Sequence, residues 1–231
     1  DDLGPAHLDA VARAARLVRS LDPLGRPVAF DAISGEAKLA PHADLFCTYY
    51  YPLLKREWPL SAYREFLQRR ARKVEERVSL RPDQAFWTWV QVHTQLWYTH
   101  RLHGGPPNRH IPSRFPDAEH VRLLTYEALS AGCKGIIYYN HNFFRPDWFG
   151  GDRFAEAGIL GAELSVLGPL VADSNPVPGA RTNRPDVHAQ ALRGPFGALV
   201  LLVVEGEGWS ETHESQSSYV DFGLPASGSY T

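Results

Sequence analysis

The chain has 231 residues, enough for one large core or for one domain and part of another. Hydrophobic residues make up 44% and charged residues 22%, a globular balance that excludes a disordered or fibrous chain. The net charge of −2 gives no electrostatic basis for nucleic-acid binding, and no apolar run approaches the roughly 20 residues that span a bilayer.

Residues 5–21 read as a helix with Leu8, Val11, Ala15 and Val18 on one face and Arg13, Arg16 and Arg19 off it. The run DPLGRP at 22–27 ends it, and VAFDAIS at 28–34 reads as a strand. ADLFCTYYYP at 43–52 is a second strand closed by proline. The link between these strands is too short for a full crossover helix, so any helix there is a single turn or absent. A helix follows over about 61–78, with Tyr63, Leu67, Ala71, Val74 and Val78 as its stripe. QAFWTWVQVHT at 84–94 is a third strand, followed by a long loop containing HGGPPNRHIP at 103–112. Asp117 is placed to cap a helix running to about 131, and AGCKGIIYYNHNFF at 131–144 is the fourth strand with its polar and aromatic end. A helix over about 155–171 leads into a Pro/Asn/Gly-rich linker at 172–186, and VHAQALRG and GALVLLVVEG, separated by GPFG, form a hairpin that opens a β-rich unit.

Strands alternating with helices imply parallel βαβ units, and four of them make half of an eight-stranded barrel. The competing doubly wound sheet wants a glycine-rich phosphate loop, and neither GxGxxG nor GxxxxGK[ST] occurs. In a barrel the site lies at the C-terminal strand ends. The first strand ends around Asp31 and Ser34, and the second in Tyr49, Tyr50, Tyr51 and Pro52. The third carries Trp87, Trp89, Gln91 and His93 on one face, leaving Phe86, Thr88, Val90 and Val92 for the helices, and the fourth ends in Tyr138, Asn140 and His141. Aromatic faces beside hydrogen-bonding groups suit a sugar ring, which has an apolar C–H face and a hydroxyl rim.

In this setting LVRSLDPLGRPVAF, ADLFCTYYYP, QAFWTWVQ and above all RLLTYEALSAGCKGIIYYN resemble the carboxyl half of the (β/α)8-barrel glycoside hydrolases, the broad superfamily that includes β-galactosidase-like and cellulase-like enzymes. The resemblance covers about residues 5–171, the fourth helix through the eighth, with GAELSVLGPLVADS similar to the final barrel helix. It implies an α/β fold: the C-terminal half of a TIM (β/α)8 barrel over 1–171, a linker over 172–186, and the start of a β-sandwich-like domain over 187–231. It also implies a secreted or periplasmic carbohydrate-active protein whose partner is an oligo- or polysaccharide. No cofactor and no metal are called for. The spacing His100-x-x-His103 matches no recognised ligand pattern, and Cys47 and Cys133 read as small buried hydrophobes.

The glycosidase mechanism needs two carboxyls flanking the glycosidic bond. By the resemblance one lies on the fourth barrel strand, at or just before Asp1 and Asp2, which makes Asp2 a candidate acid. The seventh strand holds no Asp or Glu, and Gln91 is neither nucleophile nor base. Among Asp31, Glu36, Glu57, Asp147 and Asp152, Asp31 is the best second carboxyl, because a mid-strand carboxylate in an apolar setting needs a reason. The alternative is a non-catalytic glycan-binding barrel without the seventh-strand acid. A barrel enzyme acting on a small metabolite is a third reading, which a phosphate site after the last two strands would favour. Substrate contacts are assigned to Tyr50, Tyr51, Trp87, Trp89, Gln91, His93, Tyr138, Asn140 and His141. The start at Asp1-Asp2 and the absence of Met read as a processed chain or fragment, so an upstream segment or a partner chain is expected to supply the other strands.

Overall fold

The computed structural model describes residues 5–31, 36–52, 62–69, 85–93, 116–144, 150–183, 187–195, 197–204 and 220–221. The chain forms two compact units, residues 1–165 and 166–231.

The first unit is a mixed α/β layer. After a 3-10 turn at Pro5–His7, helix α1 spans Leu8–Leu21, and strand β1 is Ala29–Asp31. The connection to β2 (Leu45–Tyr49) is one helical turn, α2 (Glu36–Leu39), and a 3-10 turn. Helix α3 is described over residues 62–69. Strand β3 is Ala85–Gln91, helix α4 Ala118–Ser130, strand β4 Gly135–Tyr139, and helix α5 Gly151–Ala172. Asp117 caps α4 as its sequence position suggests: its carboxylate accepts from the His120 backbone N–H at 2.9 Å. Contrary to the sequence expectation that no apolar stretch is long enough, α5 is by length and composition apolar enough to cross a membrane. Its Glu156 and Glu163, however, are paired with Arg122 of α4, which seats it against that helix.

The four strands are all parallel and lie in chain order, β1-β2-β3-β4. Phe46, Phe86 and Val90 form one buried cluster with Val11 of α1, Tyr63 and Leu67 of α3, and Leu124 and Ala128 of α4. Val92 packs with Val121 and with Leu160 of α5. The helices therefore all cover the same face of the sheet. A doubly wound sheet has helices on both faces and a reversal of strand order; this layer has neither among the described residues.

Further ion pairs hold the layer besides those of Arg122. Arg19 of α1 grips both oxygens of Asp44, at 2.9 and 3.0 Å, while Asp44 accepts the Val28 N–H at 2.8 Å. This ties α1 to the start of two strands. Glu127 of α4 is fully buried and pairs with Arg64 of α3 at 3.0 Å.

In the second unit, β5 (Asn175–Val177), β7 (Val187–Gly194) and β8 (Gly197–Val204) form an antiparallel sheet in the order β5-β7-β8, and β6 (Arg181–Thr182) pairs with β9 (Val220–Asp221). The GPFG hairpin closes on Gly194 paired with Gly197. Residues 172–186 thus hold two short strands where composition suggests a linker. Pro176 is tolerated because β5 lies at the sheet's edge.

Candidate functional site

Strand alternation puts the residues between the helix-facing ones on the opposite side of the sheet. On that side lie Asp31 of β1, Cys47 and Tyr49 of β2, Trp87, Trp89 and Gln91 of β3, and Gly135, Ile137 and Tyr139 of β4. The register sets Asp31 beside Cys47, Cys47 beside Trp87, and Trp87 beside Gly135. Further along the strands Tyr49, Trp89 and Ile137 are aligned, and beyond them Gln91 and Tyr139.

At the C-terminal ends the aromatic groups converge. Tyr49 stacks on Tyr51 with centroids 5.1 Å apart, and Tyr51 is near-parallel to Tyr139 at 6.1 Å. His93 stands edge-on to Tyr51 at 4.6 Å and to Tyr139 at 5.2 Å. Trp89 meets Tyr139 edge-on at 5.7 Å. Edge and offset contacts of this kind fix ring positions beyond what burial alone does. The Trp89 indole N–H is buried and has no hydrogen-bond partner among the described residues, and a buried donor left this way costs about 1–3 kcal/mol.

The ends of β3 and β4 are stitched at one carbonyl. The Tyr139 oxygen accepts from the Val92 N–H at 3.3 Å and from His93 Nδ1 at 3.1 Å. A carbonyl only accepts, so Nδ1 carries a His93 proton. Burial holds the His93 pKa below its ordinary value, opposed by the bond to Tyr139, so the ring is neutral at pH 7. Gln91 is buried and donates to the His93 carbonyl at 3.0 Å, which makes it a brace for the strand end.

The sequence-predicted residues therefore divide. Tyr51, Trp87, Trp89, Gln91 and His93 share the helix-free face with Asp31. Tyr50 turns the other way, stacking on Phe66 at 4.6 Å and facing Tyr63 at 6.2 Å, inside the helix-side cluster. Tyr138 also faces the helices, its hydroxyl 3.2 Å from Thr125 Oγ1. These two sit out of phase with the site because adjacent strand residues point to opposite faces. The Tyr139–Asn140 peptide is cis. Asn140 accepts the Asn142 N–H at 3.0 Å through its side chain, and His141 is exposed in the 3-10 turn His141–Phe144. Tyr139 and Tyr49 belong to the cluster although the sequence pattern alone does not single them out as contacts. Strand alternation counted from Gln91 across the register leads to Tyr139.

Asp31 lies on the site's face but deep, in the row of Cys47 and Trp87, about 13 Å along the strand direction from the Gln91–Tyr139 row. Burial, and then the Asp31 charge, push the Cys47 thiol up to about 11. Asp31 is the only carboxylate among the described residues of this face. Asp2, Glu57, Asp147, His100 and His103 lie outside the described residues, and Asp152 is exposed in the first turn of α5. No group of three or more metal-ligating side chains occurs among the described residues.

Comparison with known proteins gives no significant match to a family model, a curated protein or a solved structure.

Proposed function

We propose that the first unit is the C-terminal half of a TIM (β/α)8 barrel, that its helix-free face is the barrel interior, and that the aromatic cluster at the strand ends binds an oligo- or polysaccharide. Chain-order parallel strands with helices on one face support the architecture. The observation that carries the binding reading is the Trp89–Tyr139–His93–Tyr51 cluster, with a buried indole N–H that has no acceptor among the described residues. A sugar supplies that acceptor, since a hydroxyl accepts from Trp89 while its C–H face lies on tyrosine.

In this reading the protein hydrolyses O-glycosidic bonds, with Asp31 as one carboxyl and Asp2 as the other. Such pairs stand about 5–5.5 Å apart in retaining enzymes and about 6.5–9.5 Å apart in inverting ones. The second reading, non-catalytic glycan binding, is favoured by the absence of another carboxylate among the described residues of that face.

Titrating a panel of oligosaccharides against tryptophan fluorescence tests the binding. Trp89→Phe keeps the ring and removes the donor, and is expected to weaken binding about tenfold. A panel that never changes the fluorescence sinks the reading. Chromogenic glycosides, assayed with the parent chain and with Asp31→Asn, then separate enzyme from binder.

A further inference from the structure

We infer, within the glycan reading on which this rests, that Tyr139 is the residue on which the sugar ring lies, and that Gln91 and His93 are positioning residues that hold Tyr139 and Tyr51 in place without touching the sugar.

Accessibility separates the groups first. Gln91 and His93 stand among the strand-end residues that the sequence offers as substrate contacts, yet they are 1% and 4% exposed. Side chains with so little surface have almost nothing to present to a ligand while the strand ends stay together. Tyr139 is 39% exposed, the one exposed large hydrophobic residue among the described residues of β1–β4. A tyrosine open to this degree offers an apolar ring with a polar tip, the combination that suits a sugar.

The contacts then show how the buried pair reaches the tyrosine. The His93 imidazole stands nearly perpendicular to both Tyr51 and Tyr139, whose own planes lie 26° apart. The three ring centroids close a triangle with sides of 4.6, 5.2 and 6.1 Å, so a shift of the imidazole is felt by both tyrosines. His93 also donates from Nδ1 to the Tyr139 carbonyl at 3.1 Å. One imidazole therefore meets Tyr139 twice, at its backbone and at its ring. Gln91, the register partner of Tyr139, donates to the His93 carbonyl at 3.0 Å and so fixes the backbone that carries the imidazole. Tyr49, stacked on Tyr51 at 5.1 Å, and Trp89, edge-on to Tyr139 at 5.7 Å, complete the support.

The division of labour has a physical reason. An open aromatic side chain at a strand end samples several rotamers, and ordering it when a ligand arrives offsets part of the contact. Rings already braced by buried neighbours meet the ligand with that cost removed.

A double-mutant cycle tests the assignment. Cellohexaose, xylohexaose and mannohexaose are titrated against the tryptophan fluorescence of the full chain, with every tryptophan kept in each variant. For a hexasaccharide that binds the parent, Tyr139→Ala is expected to weaken binding about tenfold and Tyr139→Phe by less than about twofold. His93→Asn, which takes the imidazole away from the tyrosines, is expected to weaken binding about fivefold alone and not at all in the Tyr139→Ala background. A residue that acts through Tyr139 has nothing left to position there. Losses that add make His93 a contact and overturn the assignment, as does unchanged affinity in Tyr139→Ala, a substitution at an exposed position. Gln91→Met takes the place of His93→Asn in the cycle if circular dichroism shows the latter unfolded. A readout without ligand is carbethoxylation: diethyl pyrocarbonate is expected to modify the exposed His141 and to spare His93 in the folded chain, and equal rates overturn the assignment. A parent chain that binds none of the three hexasaccharides removes the glycan reading and this assignment with it, whereas binding with additive losses removes the assignment alone.

Discussion

Trp87 and Gly135 are register partners on β3 and β4, and the Trp87 indole occupies the space that a Cβ at Gly135 would need. The glycine is thus a steric requirement of the indole lying across the neighbouring strand. Gly135→Ala is expected to displace the ring and destabilise the unit by about 1–3 kcal/mol, read from urea unfolding, with a changed near-ultraviolet dichroism. An unchanged midpoint would refute this packing.

The buried Arg64–Glu127 pair makes a second expectation. Glu127→Ala removes the carboxylate 3.0 Å from a mostly buried guanidinium and is expected to cost about 3–5 kcal/mol in unfolding free energy. Replacing both residues with methionine is expected to restore much of that loss, because the desolvation of two charges is avoided. A double variant no more stable than Glu127→Ala would show that the pair acts otherwise.

His93 sets a pH dependence. Its folded pKa lies below the ordinary 6.5, burial being the chief cause. The unfolded chain therefore takes up the proton first as pH falls, and stability declines from about pH 6.5 down to the folded pKa, below which both states are protonated. Urea midpoints between pH 7.5 and 5 are expected to fall in the parent chain and to fall less in His93→Gln. Parallel curves would remove His93 as the cause.

Both thiols are expected to be inert. Burial and the Asp31 charge hold Cys47 up to about 11, and burial raises Cys133 well above its usual range. Ellman's reagent at pH 8 should label neither cysteine in the folded chain and both in urea. Labelling of the folded chain faster than its unfolding would contradict the burial.

The parts of the fold legible in the sequence are those whose pattern is local. AFWTWVQ alternates, so both faces of β3 follow from its own residues, and Phe86 and Val90 indeed meet the helices while Trp89 and Gln91 face away. GIIYY does not alternate in polarity, so nothing local sets its phase, and Tyr139 rather than Tyr138 joins the cluster. Helical spacing points Val18 inward, yet it is half exposed, because spacing marks a helix's apolar arc without saying how much of it has a neighbour. Glu127 carries no local signal, since its partner is 63 positions away. Pro176 reads as a linker residue until an edge position in a sheet accepts it.

The order of the strands also has a consequence for assembly. In the parallel layer each described strand pairs with the next one along the polypeptide, and the described part of the β1–β2 connection is one turn of α-helix and a 3-10 turn. No strand waits for a distant segment before it can pair, so the layer can grow by successive addition in the direction of synthesis, each βα unit landing on the edge left by the one before. Stopping at any unit leaves a short but internally complete sheet, which lets such a layer be lengthened or shortened by whole units at its rim while its existing pairs stay in register.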